Sequence, residues 1–356
     1  MATVLSNFSA SSFGQANLLT KMGEVFEKQA EQRTAGITSH YTARINSVNL
    51  TKDRWTAVRS GIQDARSIIS TTASKAQSIL ASIDNMITAV NKAEQNSDES
   101  YSAKVYAASF DAYLSGLDST AKSSSVQPNL LGTAKAELTY RASINGTTTT
   151  INSAFLGSDY YIIDDEGKYW ALDRSAKTLK RYDEYPDDPT STVGNFQTGI
   201  QLDSLSGDSI TFTIGQDTAD PQTFSGTVYR KGLEILDSWA YDGLATSDGR
   251  TRALADLKAA KAAIELEVRR YQIAFTTSDF YEKVANEAIV GLRKKTDGYM
   301  IQQAAEIQEA QDQLARDYQN ATNSVAQSIS MQNQYAKLLN PLFNKSFNNS
   351  LINIFA

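Results

Sequence analysis

The chain has 356 residues, 41% of them hydrophobic, which is enough for two or three domains with a core of moderate size. It has no cysteine and a single histidine, so disulfides, thiolate metal sites, cysteine nucleophiles and two-histidine metal sites are all excluded. A formal net charge of −6 disfavours nucleic acid and anionic membranes as partners.

The first 45 residues predict an N-terminal assembly arm. They carry no basic, apolar signal peptide, and no apolar run in the chain approaches the roughly 20 residues of a membrane span, so we expect neither a cleaved signal nor membrane insertion. A sparse apolar stripe steps by three and four residues, and its positions are Leu19, Met22, Phe26 and Ala30. Since this stripe offers little apolar area, we expect the arm to become ordered on contact with partners.

Residues 46–125 predict the N-terminal half of a helical core domain. Apolar or small residues recur in four unbroken heptads, at Ile62, Ala65, Ile69, Thr72, Ala76, Ile79, Ile83, Met86 and Val90. This regularity is typical of coiled-coil packing, so we expect Ile62, Ile69, Ile79, Ile83 and Val90 to pack within the subunit.

A second helix is expected to fold back on the first as a hairpin, with Asp98 as its N-cap. Its predicted end is near Asp118. Its predicted apolar side is formed by Val105, Ala108, Ala112 and residues 114–117.

Residues 126–245 predict a small β-rich domain, because short β-branched and aromatic segments alternate with turn residues. The segment YYIIDDEGKYWAL (residues 160–172) predicts a β-hairpin over Asp-Glu-Gly. The stretches NGTTTTINS (145–153) and DPTSTVGN (188–195) are interpreted as solvated loops, with O-glycosylation as the alternative.

Residues 246–297 predict the C-terminal half of the core domain, and residues 298–356 a C-terminal assembly arm and tail. The returning helix should pack antiparallel on the first through a stripe that includes Ile264, Val268, Phe275 and Ile289. We expect residues 294–298 to interrupt it and Pro341 to end the last helix. The last helix carries its own sparse stripe, formed by Leu314, Tyr318, Ala321, Val325 and Ile329.

The predicted fold is therefore mainly α with a β insert. A long antiparallel helical or coiled-coil bundle is built from both chain ends, and a small β-rich domain lies in the middle. The inner helices should pack within one subunit, and the two outermost segments between subunits, because their composition cannot support a core of their own.

Clustered acids raise the question of catalysis, since paired carboxylates can perform acid–base chemistry. They comprise Asp164, Asp165 and Glu166, and Asp187 with Asp188. Because they occur beside glycine and proline, turn formation explains them better. His40 has no catalytic spacing to a serine or an acid. We therefore expect no enzyme activity, no catalytic or metal-binding residue, and no cofactor.

Both ends of the chain resemble bacterial flagellin, particularly the alphaproteobacterial kind. MATVLSNFSASSFGQANLLTKMGEVFEKQAEQRTAGI resembles the family's N-terminal arm, with residues 32–36 at its Arg-Leu-Ser-Ser-Gly box. Residues 60–100 are similar to its long helix and following turn. KGLEILDSWAYDGL (231–244) resembles the segment that returns the chain from the variable region, and residues 255–319 resemble the returning helix and C-terminal arm.

The resemblance implies a structural subunit of the flagellar filament, serving motility. Such a subunit is exported unfolded through the type III export apparatus with a chaperone and polymerises as a helical homopolymer. Cap and junction proteins would be further partners, and the location would be the extracellular bacterial flagellum. Alternatives are a minor hook–filament junction protein of the same architecture and a coiled-coil adhesin or phage-fibre protein. A carbohydrate-active enzyme in the β region is more remote.

Overall fold

The structure, a computed structural model, describes residues 2–96, 100–123, 125–216 and 218–352. Its elements are α1 (Ala2–Gln95), α2 (Ser100–Lys122), β1 (Glu137–Arg141), β2 (Thr148–Asn152), β3 (Ser158–Asp164), β4 (Tyr169–Asp173), β5 (Thr178–Glu184), β6 (Asp188–Asn195), β7 (Ile200–Ser206), β8 (Ser209–Ile214), β9 (Gln222–Gly232), a 3-10 helix (Ser238–Leu244) and α3 (Ser247–Ile352). A long helix near each end and a β-rich middle confirm the predicted mainly α fold with a β insert. The proposed N-cap Asp98 lies outside the described residues.

The chain divides into two compact units. We call residues 55–287 the middle unit, and residues 1–54 together with 288–356 the terminal unit. Each is described by itself below.

In the middle unit, α1 buries the heptad stripe that the sequence predicts. All nine positions from Ile62 to Val90 are at most 2% exposed. Polar contacts join α1 to α3 on the flanks: Arg59 donates to Asn286 (3.1 Å), Arg66 pairs with Asp279 (3.0 Å), and Lys261 pairs with Asp84 (2.6 Å). Because the α3 partner number falls as the α1 number rises, the two helices run antiparallel.

Helix α2 folds back along α1, as expected. Asn96 donates to the Tyr106 hydroxyl near the reversal, and Lys75 donates to the Ser123 carbonyl at the other end. The predicted apolar side of α2 is wrong in part, since Val105 is 45% exposed and Ala112 is also exposed. The side chains that α2 does bury follow helical spacing and are Ala103, Ala107, Phe110, Asp111, Leu114, Leu117, Asp118 and Ala121. The helix also continues past the expected end at Asp118 to Lys122.

Seven strands form one antiparallel sheet in the order β6-β5-β4-β3-β9-β8-β7, and β1 pairs with β2 in a separate two-stranded sheet. The long central pairing runs from Ser158↔Gly232 to Asp164↔Gly226. One face of the large sheet is buried, and its largest side chains are Tyr160, Ile162, Trp170, Leu179, Ile210, Phe212 and Val228. The predicted hairpin is β3–β4, with Gly167 at φ +79° in its turn.

The two stretches predicted to be solvated loops are strands, and that prediction is wrong. Residues 148–152 form β2, because β-branched threonines favour extended backbone and Ile151 is buried. Residues 188–195 form β6, an edge strand, where Pro189 can be accommodated. The opposite edge, β7, has an irregularity in its register between Leu202 and Ser204.

The segment after β9 packs densely and leads into α3. Residues 235–241 are all buried, including Trp239 and Tyr241. Helix α3 begins at Ser247, where the Thr246 hydroxyl accepts a hydrogen bond from the Gly249 amide (3.0 Å) as an N-cap does.

In the terminal unit, α1 and α3 also pair antiparallel. Phe26 contacts Tyr318 edge to face (ring centroids 5.3 Å apart), Tyr41 donates to Glu306 (2.5 Å), and Arg44 lies over the Tyr299 ring (5.4 Å). The hydrogen bond to Glu306 raises the pKa of the Tyr41 phenol.

Two predicted breaks in the C-terminal helix are wrong, since α3 runs without interruption through residues 294–298 and Pro341 to Ile352. Thr296 satisfies its buried hydroxyl by donating to the Leu292 carbonyl (3.2 Å), so it fits inside the helix. Proline removes one backbone donor and costs stability, but it does not have to end a helix. The predicted tail at the end of the C-terminal arm is helical up to Ile352, and residues 353–356 lie outside the described chain.

Candidate assembly surfaces

The residues predicted for assembly lie on α1 and α3 in the terminal unit and are mostly half-buried. Leu314 is buried, and Tyr318 is 37% exposed although its ring contacts Phe26. The other predicted positions are half-buried, and they are Leu19, Met22, Phe26, Ala30, Ala321, Val325 and Ile329. The structure thus brings Phe26 and Tyr318 together within one chain, whereas the sequence suggested contacts between subunits for both.

A second set of apolar side chains in the terminal unit remains exposed. On α1, Leu18 and Val25 are seven residues apart and are 48% and 53% exposed. On α3, Met331, Tyr335 and Leu338 step by four and three residues and are 54%, 65% and 68% exposed. Two paired helices bury only one face each, which leaves these side chains in water.

The residues predicted to pack within the subunit lie on inward faces. Buried are Ile62, Ile69, Ile79, Ile83, Val90, Ile264, Val268 and Ile289, and Phe275 is partly buried. The guanidinium of Arg66 lies over the Phe275 ring (4.6 Å) and also pairs with Glu282 (2.6 Å). Polar groups therefore cover the flanks of this apolar contact.

A row of large apolar residues on α3 of the middle unit was missed by the sequence reasoning. We call Leu266, Ile273 and Phe280 the outer stripe; they are 66%, 67% and 60% exposed. Their spacing of seven residues places them in one line along the helix. Each follows a buried residue by two positions, so this line lies on the face away from the core. The heptad spacing of these three residues is the sequence signal that could have revealed the outer stripe.

The outer face of the seven-stranded sheet carries stacked tyrosines. Tyr161 stacks on both Tyr169 (4.7 Å) and Tyr229 (4.9 Å), and Tyr169 stacks on Tyr185 (4.3 Å). Burial raises the pKa of Tyr169 to about 12. These pairs stabilise the strand register from the solvent side.

A buried polar cluster joins α2 to the 3-10 helix. Asp111 is 5% exposed and accepts hydrogen bonds from the Ser238 amide and the Ser238 hydroxyl, both at 2.7 Å. Burial and the nearby carboxylate of Asp237 raise the pKa of Asp111 to about 7, although the hydrogen bonds from Ser238 oppose the shift.

Arg174 and Asp237 form the second part of this cluster. The Arg174 Nε donates to Asp237 Oδ1 (3.3 Å), and its Nη1 donates to the Ser158 carbonyl. Burial raises the pKa of Asp237 while Arg174 lowers it. Within the part of the chain that the structure describes, Arg174 Nη2 and Asp237 Oδ2 have no hydrogen-bond partner.

A pocket of about 320 Å³ opens over this cluster. It lies among α2, the turn between β4 and β5, the residues after β6 and the start of the 3-10 helix. Its lining comprises Asp111, Ala112, Ser115, Arg174, Ser175, Lys177, Phe196 and Asp237.

The acidic residues singled out for possible catalysis have structural contacts. Asp164 accepts hydrogen bonds from the Glu166 and Lys168 amides, from Trp170 Nε1 (3.0 Å) and from Arg181 Nε (2.8 Å). It therefore holds the β3–β4 turn against the sheet. Asp165 and Glu166 lie in that turn, Asp187 lies in the turn before β6, and Asp188 begins β6. His40 is exposed, and its ring contacts Tyr41 (5.4 Å).

No protein-family profile matches this chain, and no curated protein matches it. Among the residues that the structure describes, no cluster of three histidine or acidic side chains could hold a metal ion. No helix in the described ranges is long and apolar enough to cross a membrane.

Proposed function

We propose that this chain is a structural subunit of a bacterial flagellar filament that polymerises through its long helices. On this proposal the subunit leaves the cell unfolded through the flagellar export apparatus, accompanied by a chaperone. It then assembles outside the cell beneath a cap, and it needs neither a catalytic centre nor a cofactor.

The observation that carries the proposal is the outer stripe, because it is apolar, regular and exposed in a single chain. Fully burying a leucine, isoleucine or phenylalanine side chain contributes roughly 1.5–3 kcal/mol. With about two thirds of each side chain exposed, the three residues together could contribute about 3–6 kcal/mol to one contact between copies. A repeating contact of this size supports a polymer.

The finer architecture is also part of the proposal. We infer that the antiparallel helices of the middle unit interlock as a coiled coil, because nine heptad positions of α1 are buried opposite α3. The small residues Ala65, Thr72 and Ala76 in this stripe would allow the helices to approach closely. In the terminal unit the sparse contact leaves apolar side chains for neighbouring subunits.

The proposal can be tested by examining concentrated full-length protein with negative-stain electron microscopy and with sedimentation. Wild-type protein should form smooth filaments above a critical concentration. The double variant I273S/F280S should raise that concentration by about 30- to 800-fold, since each side chain loses about 1–2 kcal/mol and 1.4 kcal/mol corresponds to tenfold. Gln272→Ser is the matched control, because it places serine at an exposed position of the same helix without removing apolar area.

Two results would count against the proposal in different ways. Wild-type protein that stays monomeric at every concentration would exclude self-assembly of the purified chain. Filaments that form equally well from I273S/F280S and wild type would exclude the outer stripe as the contact.

The terminal segments can be tested separately by deletion. Removing residues 1–35 or 310–356 should leave a soluble chain whose middle unit keeps its tryptophan fluorescence, since Trp55, Trp170 and Trp239 all lie in that unit. Neither truncated chain should polymerise, because each lacks part of the terminal contact, including Phe26 or Tyr318. Filaments from either one would show that the arms are dispensable.

A further inference from the structure

We propose that the outer stripe of one copy of this chain packs on the exposed face of α2 in a second copy. This inference rests on the proposed function and deepens it, because it names the surface that receives the stripe. Both surfaces belong to the middle unit. The exposed face of α2, called the α2 face below, is formed by Val105, Ser109, Ala112, Tyr113 and Gly116.

A second surface is needed because the outer stripe cannot build a polymer by meeting itself. A stripe that pairs with the same stripe of another copy makes a two-fold contact, and such a dimer is closed. A contact that propagates joins two different surfaces, so that each added copy still offers a free surface to the next one. The α2 face supplies the partner surface for Leu266, Ile273 and Phe280.

The α2 face is apolar and carries no charge. Val105 and Tyr113 are 45% and 40% exposed, and Ala112 is exposed between them. From residue 105 to residue 120, a stretch that the structure describes throughout, the charged side chains are Asp111 and Asp118, and both are buried. The exposed side of a helix in a soluble protein is normally polar or charged. An exposed apolar face is typical of a surface that is covered by another protein.

The exposed face of α1 in the same unit is a poorer partner because it is polar. Ser67, Ser70, Ser74 and Gln77 follow one another at helical spacing and are all exposed. Burying these groups under an apolar stripe would remove their hydrogen bonds to water without replacing them. The α2 face loses little hydration when an apolar stripe covers it.

The two surfaces also match in length. At a rise of 1.5 Å per residue, the outer stripe from Leu266 to Phe280 is about 21 Å long, and the α2 face from Val105 to Gly116 is about 17 Å long. A Cβ atom at Gly116 would meet no atom within 4 Å, so packing inside the subunit does not require glycine there. Glycine is less favourable than alanine within a helix, but it lets a neighbour approach the backbone closely.

Directed cross-linking tests the inference, because the chain has no cysteine of its own. Ser109→Cys places a thiol on the α2 face, and Thr276→Cys places one beside the outer stripe, between Ile273 and Phe280. Both substitutions keep the apolar residues of the two surfaces. Filaments assembled from an equal mixture of the two single variants are treated with a short bis-maleimide, and the linked peptides are identified by mass spectrometry. Every link then joins two different copies.

The link between residues 109 and 276 should be at least about tenfold more abundant than the link between two copies of residue 276, because a heterologous contact brings unlike surfaces together. The matched control is Ser74→Cys, which makes the same substitution on the exposed face of α1. Mixed with Thr276→Cys, it should give few links.

A charge on the α2 face provides a second, independent measurement. Ala112→Glu should raise the critical concentration for filaments by at least about tenfold, because the carboxylate would be buried under the apolar stripe of the neighbouring copy. Ala112 is exposed in the single chain, so this variant should fold normally. Ser74→Glu is the control and should assemble like wild type.

Several results would overturn the inference while leaving the proposed function intact, because filaments still form in each of them. Links between two copies of residue 276 in place of the mixed link would show that the stripe meets itself. Links from residue 74 as abundant as those from residue 109 would place the contact on α1. The absence of the mixed link, or an Ala112→Glu chain that assembles at the wild-type concentration, would exclude the α2 face. Wild-type protein that never forms filaments would overturn both proposals.

Discussion

Replacing Asp111 by asparagine should stabilise the middle unit at neutral and alkaline pH. The folded chain holds this carboxyl among buried groups, with Asp237 nearby, and its pKa is raised from 3.8 to about 7. Because this folded-state pKa lies above the unfolded value, the protonated Asp111 carboxyl makes its full contribution to wild-type stability below pH 3.8. That contribution is lost as the pH rises through about 7. The wild-type chain above neutral pH therefore carries the full cost of a buried charge.

The rise in the pKa of Asp111 from 3.8 to about 7 sets the size of the expected change in unfolding free energy. At 1.36 kcal/mol per pKa unit, this rise corresponds to at most about 4 kcal/mol. Asparagine has nearly the same shape, its oxygen can accept from the Ser238 amide, and the Ser238 hydroxyl can turn to accept from its nitrogen. We therefore expect Asp111→Asn to raise the free energy of unfolding by about 2–4 kcal/mol at pH 8 and by less than about 1 kcal/mol at pH 4.

Urea denaturation between pH 4 and pH 8, followed by tryptophan fluorescence, measures this difference. Trp170 and Trp239 are buried in the middle unit, so the signal reports on the unit that contains Asp111. The exposed aspartate Asp64 provides the control, and Asp64→Asn should change stability little at any pH. A destabilised Asp111→Asn at pH 8, or a difference that is constant with pH, would refute the reasoning.

Two further predictions concern one contact in each unit. Gly226→Ala should destabilise the middle unit by about 2–4 kcal/mol in the same urea assay, because a Cβ there would collide with the Ile163 carbonyl in the central strand pair. The control is Gly61→Ala, which lies in a helix with open space around it and should be neutral or mildly stabilising. Equal effects of the two substitutions would contradict this account. Tyr41→Phe should destabilise the terminal unit by removing the hydrogen bond to Glu306, seen as faster hydrogen exchange in peptides around residue 41. Unchanged exchange there would show that the bond contributes nothing.

The sequence was most informative where periodicity and burial coincide. The heptads from Ile62 to Val90 indicated both the helix and its buried face, because four heptads of unbroken spacing leave little freedom of register. The β3–β4 hairpin was also predictable, since Gly167 supplies the positive φ that its turn requires.

The sequence was least informative for β2, for the edge strand β6 and for residues 294–298 of α3. Strands β2 and β6 contain threonine, serine, asparagine and proline, a composition shared with loops, and only pairing with a neighbour makes them strands. In α3, residues 294–298 look like a break, but continuous backbone hydrogen bonding outweighs the weak local preferences of Thr296 and Gly298.

The outer stripe and the pocket also differ in how far the sequence could reveal them. The outer stripe was present in the sequence as a second heptad row, and only the burial of its neighbours shows which row is exposed. The pocket could not be predicted, because Asp111, Arg174 and Asp237 are far apart along the chain and are brought together by the packing of α2, the sheet and the 3-10 helix.

The two edges of the seven-stranded sheet affect how readily copies of this domain aggregate when they are held at high local concentration. An open edge with regular backbone donors and acceptors can recruit a strand from another molecule and begin aggregation. Strand β6 has proline at position 189, which lacks an N–H, and β7 is irregular between Leu202 and Ser204, so neither edge is a regular template. Many copies of this domain could therefore lie close together without edge-to-edge strand pairing between their sheets, which would restrict association to the helices.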